Sequence, residues 1–495
     1  MSPGNALVLP LLFTALMMAG AQYAPAHQSP RLLWSFLGTG AVLLAWNGLL
    51  LVSALRQRHR FTLEIVVRKQ HYVQACAHAS ILLYWGWYWR TVYDSAFLIV
   101  AQILFAYAFD LLLTWSRRDT ATLGFGPFPI VFSTNLFLWF RPDWFYFQFV
   151  MIALAFVGKE FIRWNRDGRT THVFNPSAFT LTVFSLALIV TGTSDITWGQ
   201  DIAITQFYPP HMYVFLFLVS LPGQILFGVT TMTMAAVLTT YLFGLCYYAL
   251  TGTYYFFDSY VPIAVFLGMH LLFTDPSTAP RTDLGRMIFG VLYGISTIAL
   301  YGLLGMAGLP PFYDKLLQVP LLNLSVKSID RVVRSEALRR FDPARIGRSL
   351  SAIRRNLAYM SIWAIVFGIM SAAQGVGDRH RGQWIPFWQQ ACQHESVRAC
   401  RYLAQLHATY CRAGSGWSCN ELAILLGDKE GDRASRASPP FEELPILLRG
   451  SKGPITDRSP SSLYSRACDQ GWPDSCQRIA GADTSHRISV PAGIQ

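Results

Sequence analysis

The sequence predicts an all-α polytopic membrane protein that ends in a small region outside the membrane. Two observations lead to this prediction. The chain of 495 residues is 53% hydrophobic and only 14% charged, whereas soluble domains carry roughly 25% charged residues. Six of its eight cysteines follow residue 390 and form pairs of one spacing. The net charge of +12 does not indicate a nucleic-acid partner, because Arg and Lys cluster between apolar runs, where they orient a chain in the bilayer.

Thirteen apolar runs are long enough to cross about 30 Å of hydrocarbon. They lie at 7–24, 33–55, 73–92, 95–115, 124–140, 143–162, 173–193, 211–229, 230–250, 259–274, 286–307, 311–330 and 357–375. The loops that join them alternate between basic and non-basic, and the basic side is cytoplasmic by the positive-inside rule. This predicts a cytoplasmic N-terminus and an extracytoplasmic tail. An alternative for the first run is a signal peptide, although residues 2–9 contain no Lys or Arg.

The runs divide the chain into five regions. Residues 1–60 contain the first two predicted helices, and residues 73–331 contain a core of ten. A basic linker at 332–356 leads to the last predicted helix at 357–375. Residues 376–495 form the tail, which includes a Pro/Ser-rich insertion at 433–462.

The cysteine pairs of the tail predict three disulfide bonds. The pairs are Cys392 with Cys400, Cys411 with Cys419, and Cys468 with Cys476, each separated by seven residues. Turn-forming residues between the paired cysteines indicate that each bond joins the end of one helix to the start of the next. Zinc is the rival interpretation, but the Cys-x2-Cys spacing of structural zinc sites is absent from these pairs. Disulfides form in oxidising compartments, which agrees with a tail outside the cytoplasm.

Two motifs at the edges of apolar runs indicate a membrane-embedded site. They are His172-Val-Phe-Asn-Pro-Ser-Ala-Phe179 and Thr274-Asp-Pro-Ser-Thr-Ala-Pro-Arg-Thr-Asp-Leu-Gly-Arg286. The Asn-Pro and Asp-Pro steps interrupt regular helix and turn polar groups toward the protein interior. We expect both motifs on the cytoplasmic side, as a candidate cofactor-binding pocket formed by His172, Asn175, Thr274, Asp275 and Arg286. An alternative for Asn175 is that it only starts a helix.

Further ionisable residues lie in or at the ends of apolar runs, where such groups are functional candidates. These are Asp110, Lys159, Glu160 and His270. For Lys159 and Glu160, local pairing or snorkelling to the membrane surface is the preferred interpretation. The sequence identifies no catalytic residue and predicts no metal site.

The core resembles the RnfD/NqrB family of membrane subunits over residues 75–331. The resemblance rests on Lys159-Glu160, Gly168-Arg169, the two motifs above, Leu284-Gly-Arg-Met-Ile-Phe-Gly290 and Leu321-Leu-Asn-Leu-Ser-Val-Lys-Ser-Ile-Asp-Arg331. It implies a ten-helix inverted-repeat fold similar to urea transporters, a bacterial cytoplasmic (inner) membrane and other subunits of an ion-pumping electron-transport complex. The aromatic segment 84–89 adds a weaker resemblance to UnbU-type proteins.

One departure from the family concerns the flavin. The resemblance implies FMN attached to the Thr of a Ser-Gly-Ala-Thr-like motif in the extracytoplasmic loop after the Asn-Pro helix. The corresponding loop, 194–210, lacks that motif, although Thr193, Thr197 and Thr205 lie in the region. Covalent FMN is therefore not expected, and a non-covalent flavin, FMN or riboflavin, is the candidate cofactor.

The tail resembles cysteine-rich Sel1-like repeats at about 391–480, which implies helix hairpins that bind a protein partner. The sequence thus predicts an electron-transport subunit. The alternatives are a transporter or channel on the same scaffold, and a membrane anchor that recruits partners through its repeats.

Overall fold

The computed structural model describes residues 1–22, 29–206, 209, 211–251, 254–256, 259–346, 350–373, 385–393, 397–412, 414–427 and 459–479. It divides into two compact units. The first contains Met1–Cys246 and Tyr260–Arg379, and the second contains Tyr247–Ser259 and His380–Gln495. Regular structure in the described residues is almost entirely helical, as the composition predicts.

Seven helices precede the Asn-Pro motif among the described residues. They are α1 (Pro3–Ala19), α2 (Pro30–Gln57), α3 (Lys69–Tyr88), α4 (Thr91–Asp94), α5 (Ala96–Trp115), α6 (Pro127–Asn135) and α7 (Tyr146–Phe161). The helices that follow it, up to the tail, are α8 (Pro176–Thr191), α9 (Gly199–Thr205), α10 (Met212–Phe227), α11 (Thr230–Thr251), α12 (Ile263–Leu267), α13 (Asp283–Met306), α14 (Gln318–Val333), α15 (Glu336–Arg339), α16 (Pro343–Ile346) and α17 (Ala352–Ala372).

Short 3-10 turns and strands connect some of these helices. The turns are Gly20–Gln22, Pro142–Trp144, Ser194–Ile196 and Pro311–Lys315. Strand β1 (Thr62–Ile65) pairs in parallel with β2 (Thr120–Leu123). Strand β3 (Arg163–Arg166) and β4 (Arg169–His172) form an antiparallel hairpin. Asp167 and Gly168 both have positive φ in its turn, the conformation that suits a two-residue hairpin loop.

Among the described residues, five helices are long and apolar enough to cross a membrane, which indicates a membrane protein. They span Pro3–Gln22, Pro30–Gln57, Ala96–Trp115, Thr230–Thr251 and Asp283–Met306, and shorter apolar helices span Pro176–Thr191, Met212–Phe227 and Ile263–Leu272. The N-terminal pair packs against α5, and the Met1 amine donates to the Phe61 carbonyl at 2.8 Å.

Two of the predicted spans are wrong as continuous helices. The run 124–140 contains only the nine-residue helix α6. The run 259–274 contains the five-residue helix α12, which begins after Pro262 and continues as one π turn, Gly268–Leu272. In addition, the run 311–330 begins with a 3-10 turn, and α14 starts only at Gln318. We call α6 and α12 with its π turn the broken helices.

The second unit confirms the predicted disulfides. Its helices in the tail are α18 (Ile385–Gln393), α19 (Val397–Arg412), α20 (Gly416–Gly427) and α21 (Pro460–Asp469), and residues 473–479 are helical. Cys392 is bonded to Cys400, Cys411 to Cys419 and Cys468 to Cys476. Each bond joins the end of one helix to the start of the next, as the spacing predicts. The insertion at 433–462, except for its last four residues, lies outside the described residues.

A small apolar core holds the last repeats together. Cys411, Cys419 and Leu422 pack there with Ala423, Leu463 and Ala467. Asn420 at the edge of this core accepts a hydrogen bond from the Ser475 hydroxyl at 2.9 Å. The disulfide sulfurs are therefore part of the core as well as covalent links.

Candidate functional site

The two sequence motifs meet at Asn175. This residue caps α8, because its Oδ1 accepts a hydrogen bond from the Ala178 amide at 3.1 Å. Its Nδ2 donates to the Leu272 carbonyl at 2.8 Å, a buried backbone acceptor at the end of the π turn. One side chain thus completes the start of one helix and the end of another, two positions where backbone groups lack helical partners.

A hydrogen bond between two side chains forms the second link between the motifs. His172 Nε2 lies 3.0 Å from Asp275 Oδ2, and Asp275 Oδ1 accepts from the Ser277 amide at 2.9 Å. Burial raises the pKa of Asp275, but the hydrogen bonds from His172 and Ser277 outweigh it and hold the pKa below its usual range. The carboxylate is therefore charged at neutral pH and fixes the turn of the Asp-Pro motif.

The remaining two predicted residues are arranged differently. The Thr274 hydroxyl donates to the His270 carbonyl at 2.8 Å within its own segment. Arg286 donates to the carbonyls of Gly228 at 2.6 Å and Pro280 at 3.0 Å, so it joins the end of α10 to the Asp-Pro loop. Of the five predicted residues, His172, Asn175 and Asp275 connect the motifs directly.

Three polar residues that sequence analysis missed complete this cluster. Asn323 Oδ1 accepts from the Asn175 amide at 3.2 Å. Arg166, at the end of β3, forms a buried ion pair with Asp330 at 2.6 Å. Arg166 Nε has no hydrogen-bond partner among the described residues. The only signal for Asn323 and Asp330 was their presence in the closing segment of the family resemblance.

Side-chain amides satisfy the backbone where α6 ends. Gln206 Nε2 donates to the Leu136 carbonyl at 2.6 Å, and Gln148 Oε1 accepts from the Phe140 amide at 3.1 Å. Asn135 and Gln102 exchange hydrogen bonds beside them, one of them at 2.7 Å. A membrane interior offers no water to these groups. The amides therefore supply the hydrogen bonds that the backbone loses where α6 ends early.

The segment that follows α6 approaches the π turn at Gly268. A methyl group there would lie 3.8 Å from the Phe137 ring and 3.0 Å from Tyr293 Oη. Beside this point Lys315 Nζ lies 2.9 Å from Asp314 Oδ1, and both side chains are at most 5% exposed. Sequence analysis missed this pair because neighbouring opposite charges at the edge of an apolar run resemble an interfacial turn.

The other predicted ionisable residues have mixed surroundings. Glu160 pairs with Arg118 at 2.8 Å, in agreement with the preferred interpretation of local pairing. Lys159 Nζ lies 5.6 Å from the centre of the Phe156 ring. His270 Nδ1 lies 2.7 Å from the Phe266 carbonyl, which requires the proton on Nδ1 because a carbonyl only accepts.

The hydroxyls considered for flavin attachment are held by the protein. Thr193 bonds Thr191 at 2.7 Å, Thr197 donates to the Ser194 carbonyl at 2.8 Å, and Thr205 accepts from Trp85 Nε1 at 3.2 Å. Among the described residues, no group of three or more His, Cys, Asp or Glu side chains forms a candidate metal site.

Comparisons of the chain with family models, with curated proteins and with solved structures gave no match.

Proposed function

We propose that this chain is a membrane-embedded subunit of an electron-transport complex of the RnfD/NqrB type, in which electron transfer drives ion translocation. Its partners are the lipid bilayer, other subunits of that complex and a protein bound by Sel1-like repeats. The observation that carries the proposal is the meeting of the two motifs, through Asn175 with the Leu272 carbonyl and His172 with Asp275. These are the segments on which the family resemblance rests.

The broken helices support the same scaffold. In a core of ten predicted spans, α6 and α12 fall within the third and the eighth. These are corresponding positions of two halves of five. A pair of short, interrupted segments in corresponding positions is typical of inverted-repeat membrane proteins with a site near the midplane. The short lengths of α6 and α12 thus favour the ten-helix inverted-repeat architecture over an irregular bundle.

We propose a non-covalent flavin, FMN or riboflavin, as the cofactor of the cytoplasmic cluster. The fit is partial. Arg166 Nε is a buried donor without a partner among the described residues, and a guanidinium suits a phosphate. His172, Asn175 and Asp275 already bond one another or nearby backbone groups. A bound flavin would supply the electron transfer, and this chain's residues would only position it.

The tail is proposed to lie outside the cytoplasm of a bacterial cell, on the far side of the cytoplasmic membrane. Three disulfides favour an oxidising compartment. The end of α11 from Tyr247 and the segment up to Ser259 belong to the same compact unit as the tail. An odd number of predicted spans precedes each of these two segments, so a chain that starts in the cytoplasm reaches the far side of the membrane at both. Their shared unit therefore supports the predicted topology.

A transporter or channel on the same scaffold is the second candidate. The buried pair of Asp314 and Lys315 beside Gly268 of the π turn favours it, because ionisable groups inside a membrane protein often mark an ion path. A membrane anchor whose repeats recruit partners is the third candidate.

The absorbance and fluorescence of the purified protein separate these candidates. The proposal predicts a flavin spectrum that bleaches on chemical reduction. A colourless protein that moves ions or solutes in liposomes would replace it with the transporter. A colourless protein without transport, retained by a partner of the repeats, would favour the anchor.

A further inference from the structure

Part of the tail packs against the segment that follows α11, and both belong to the second compact unit. Tyr254, which follows α11, contacts Trp388 of α18 edge to face, with ring centroids 5.8 Å apart. Both rings are 0% exposed. Tyr248, in the last turns of α11, packs on Tyr254 at 5.8 Å. Aromatic pairs with this geometry contribute attraction beyond the area that they bury.

The segment that holds Tyr254 leads directly into a broken helix. Tyr260 approaches Gly244 so closely that a methyl group on the glycine would lie 3.1 Å from the Tyr260 backbone. The next residue, Val261, accepts a hydrogen bond from the Tyr213 hydroxyl at 2.7 Å. Pro262 then begins α12. Ile263, the first residue of α12, follows Tyr254 by nine positions, and Tyr260 and Val261 just before it are held by these contacts. A displacement of Tyr254 would therefore act on the start of α12 through the connecting chain.

On the tail side, a disulfide fixes the helix that carries Trp388. Cys392 lies four positions after Trp388, about one helical turn, and its bond to Cys400 joins α18 to α19. α18 is short, with nine residues, and short helices are marginal without tertiary support. The position of the Trp388 ring thus depends on this bond.

We propose that residues 254–256 are the docking partner of α18, and that the first repeat thereby restrains the start of α12 as long as Cys392 and Cys400 remain bonded. The inference does not depend on the electron-transport function. Reduction by a dithiol breaks the sulfur–sulfur bond, adds one hydrogen to each sulfur and converts the dithiol to its own disulfide. It releases Trp388 from Tyr254 and frees the segment before α12. The repeat region is then an internal clamp as well as a surface for other proteins.

Hydrogen–deuterium exchange of the full-length protein in lipid nanodiscs tests the proposal. The test variant is Cys392→Ser with Cys400→Ser, and the matched control is Cys468→Ser with Cys476→Ser, a disulfide of the same spacing elsewhere in the tail. Peptides covering 260–272 should exchange up to about tenfold faster in the test variant, the factor expected for one aromatic contact. They should be unchanged in the control. Equal exchange in both variants would overturn the clamp.

A second pair of variants keeps every disulfide and covers the case in which the cysteine variant fails to fold. Trp388→Ala should accelerate the same peptides, whereas Trp388→Phe, which keeps a ring, should accelerate them less. If the exchange rate at 260–272 is the same in both variants as in the wild type, the docking is refuted.

Discussion

The membrane-spanning region and the repeat region meet the same structural need in different ways. Both contain helices that end early and leave backbone groups without helical partners. In the membrane region, amides of Asn175, Gln148 and Gln206 bond those groups. In the repeat region, disulfides tie the helix ends together. Hydrocarbon supplies no water to broken backbone, whereas small units in water lack a sufficient core and use covalent links.

The two regions are therefore vulnerable to different changes. Loss of one amide in the membrane region leaves a buried carbonyl or amide unbonded. The repeat region instead depends on its redox state and on the charge of its buried side chains.

Removal of the central disulfide should affect stability most. Cys411→Ser with Cys419→Ser eliminates a bond whose sulfurs lie in the apolar core of the tail. We expect the repeat region to lose about 3 kcal/mol of unfolding free energy. Thermal unfolding of the tail, followed by limited proteolysis, measures the loss. The control Cys76→Ser removes a free, exposed cysteine and should leave the melting temperature unchanged.

Substitution of Asn175 should have the next largest effect. Asn175→Ala removes the cap of α8 and the donor to the Leu272 carbonyl. The loss of the cap and the orphaned carbonyl together should reduce stability by about 2 to 3 kcal/mol. Asn165→Ala, which removes an exposed asparagine in a hairpin, is the control. Equal stability of these two variants in detergent would contradict the assigned role of Asn175.

Acid should destabilise the repeat region through His407. Burial lowers the pKa of His407 from 6.5 to about 3, and neither ring nitrogen has a hydrogen-bond partner among the described residues. The unfolded chain therefore binds a proton first, so stability is complete above pH 6.5 and falls by about 1.4 kcal/mol for each pH unit below it. His407→Phe should flatten this dependence between pH 6.5 and 4.5 in melting experiments. A wild-type tail with constant stability over that range would argue against a buried neutral imidazole.

The smallest effect is expected at the pair between His172 and Asp275. Its side chains are 19% and 17% exposed, so solvent screening limits the pair to roughly 1 kcal/mol. In the folded protein the pKa of Asp275 is lower than its usual value. The stabilisation is therefore complete above the usual carboxyl pKa, and it is lost as the pH falls through the pKa of the folded state. Asp275→Asn should match the wild type in strong acid and be slightly less stable at neutral pH. If Asp275→Asn lost more stability at low pH than at neutral pH, the assignment of a charged Asp275 would be wrong.

Local patterns predicted the features that depend on nearby residues. The identical spacing of the cysteine pairs was sufficient for the three disulfides, because one helix end and the next helix start lie close along the chain. Pro176 and the Asp275-Pro276 step predicted the interrupted backbone at both motifs, since proline restricts helix locally.

Features that depend on distant residues were not predictable in this way. The segment after Asn135 is apolar and looks like the rest of a spanning helix. The early end of α6 is accommodated by amides from Gln148 and Gln206, which come from other elements. The burial of Asp314 and Lys315 likewise depends on packing around the broken helices, and no local pattern contains that information.

Mass spectrometry of the intact protein and of its bound small molecules tests the central claim most directly. We expect an unmodified polypeptide mass, together with FMN or riboflavin released on denaturation. A mass increase equal to FMN on a residue within 191–210 would contradict the prediction of a non-covalent cofactor. If neither the intact protein nor its bound small molecules contain a flavin, the electron-transport assignment itself is contradicted.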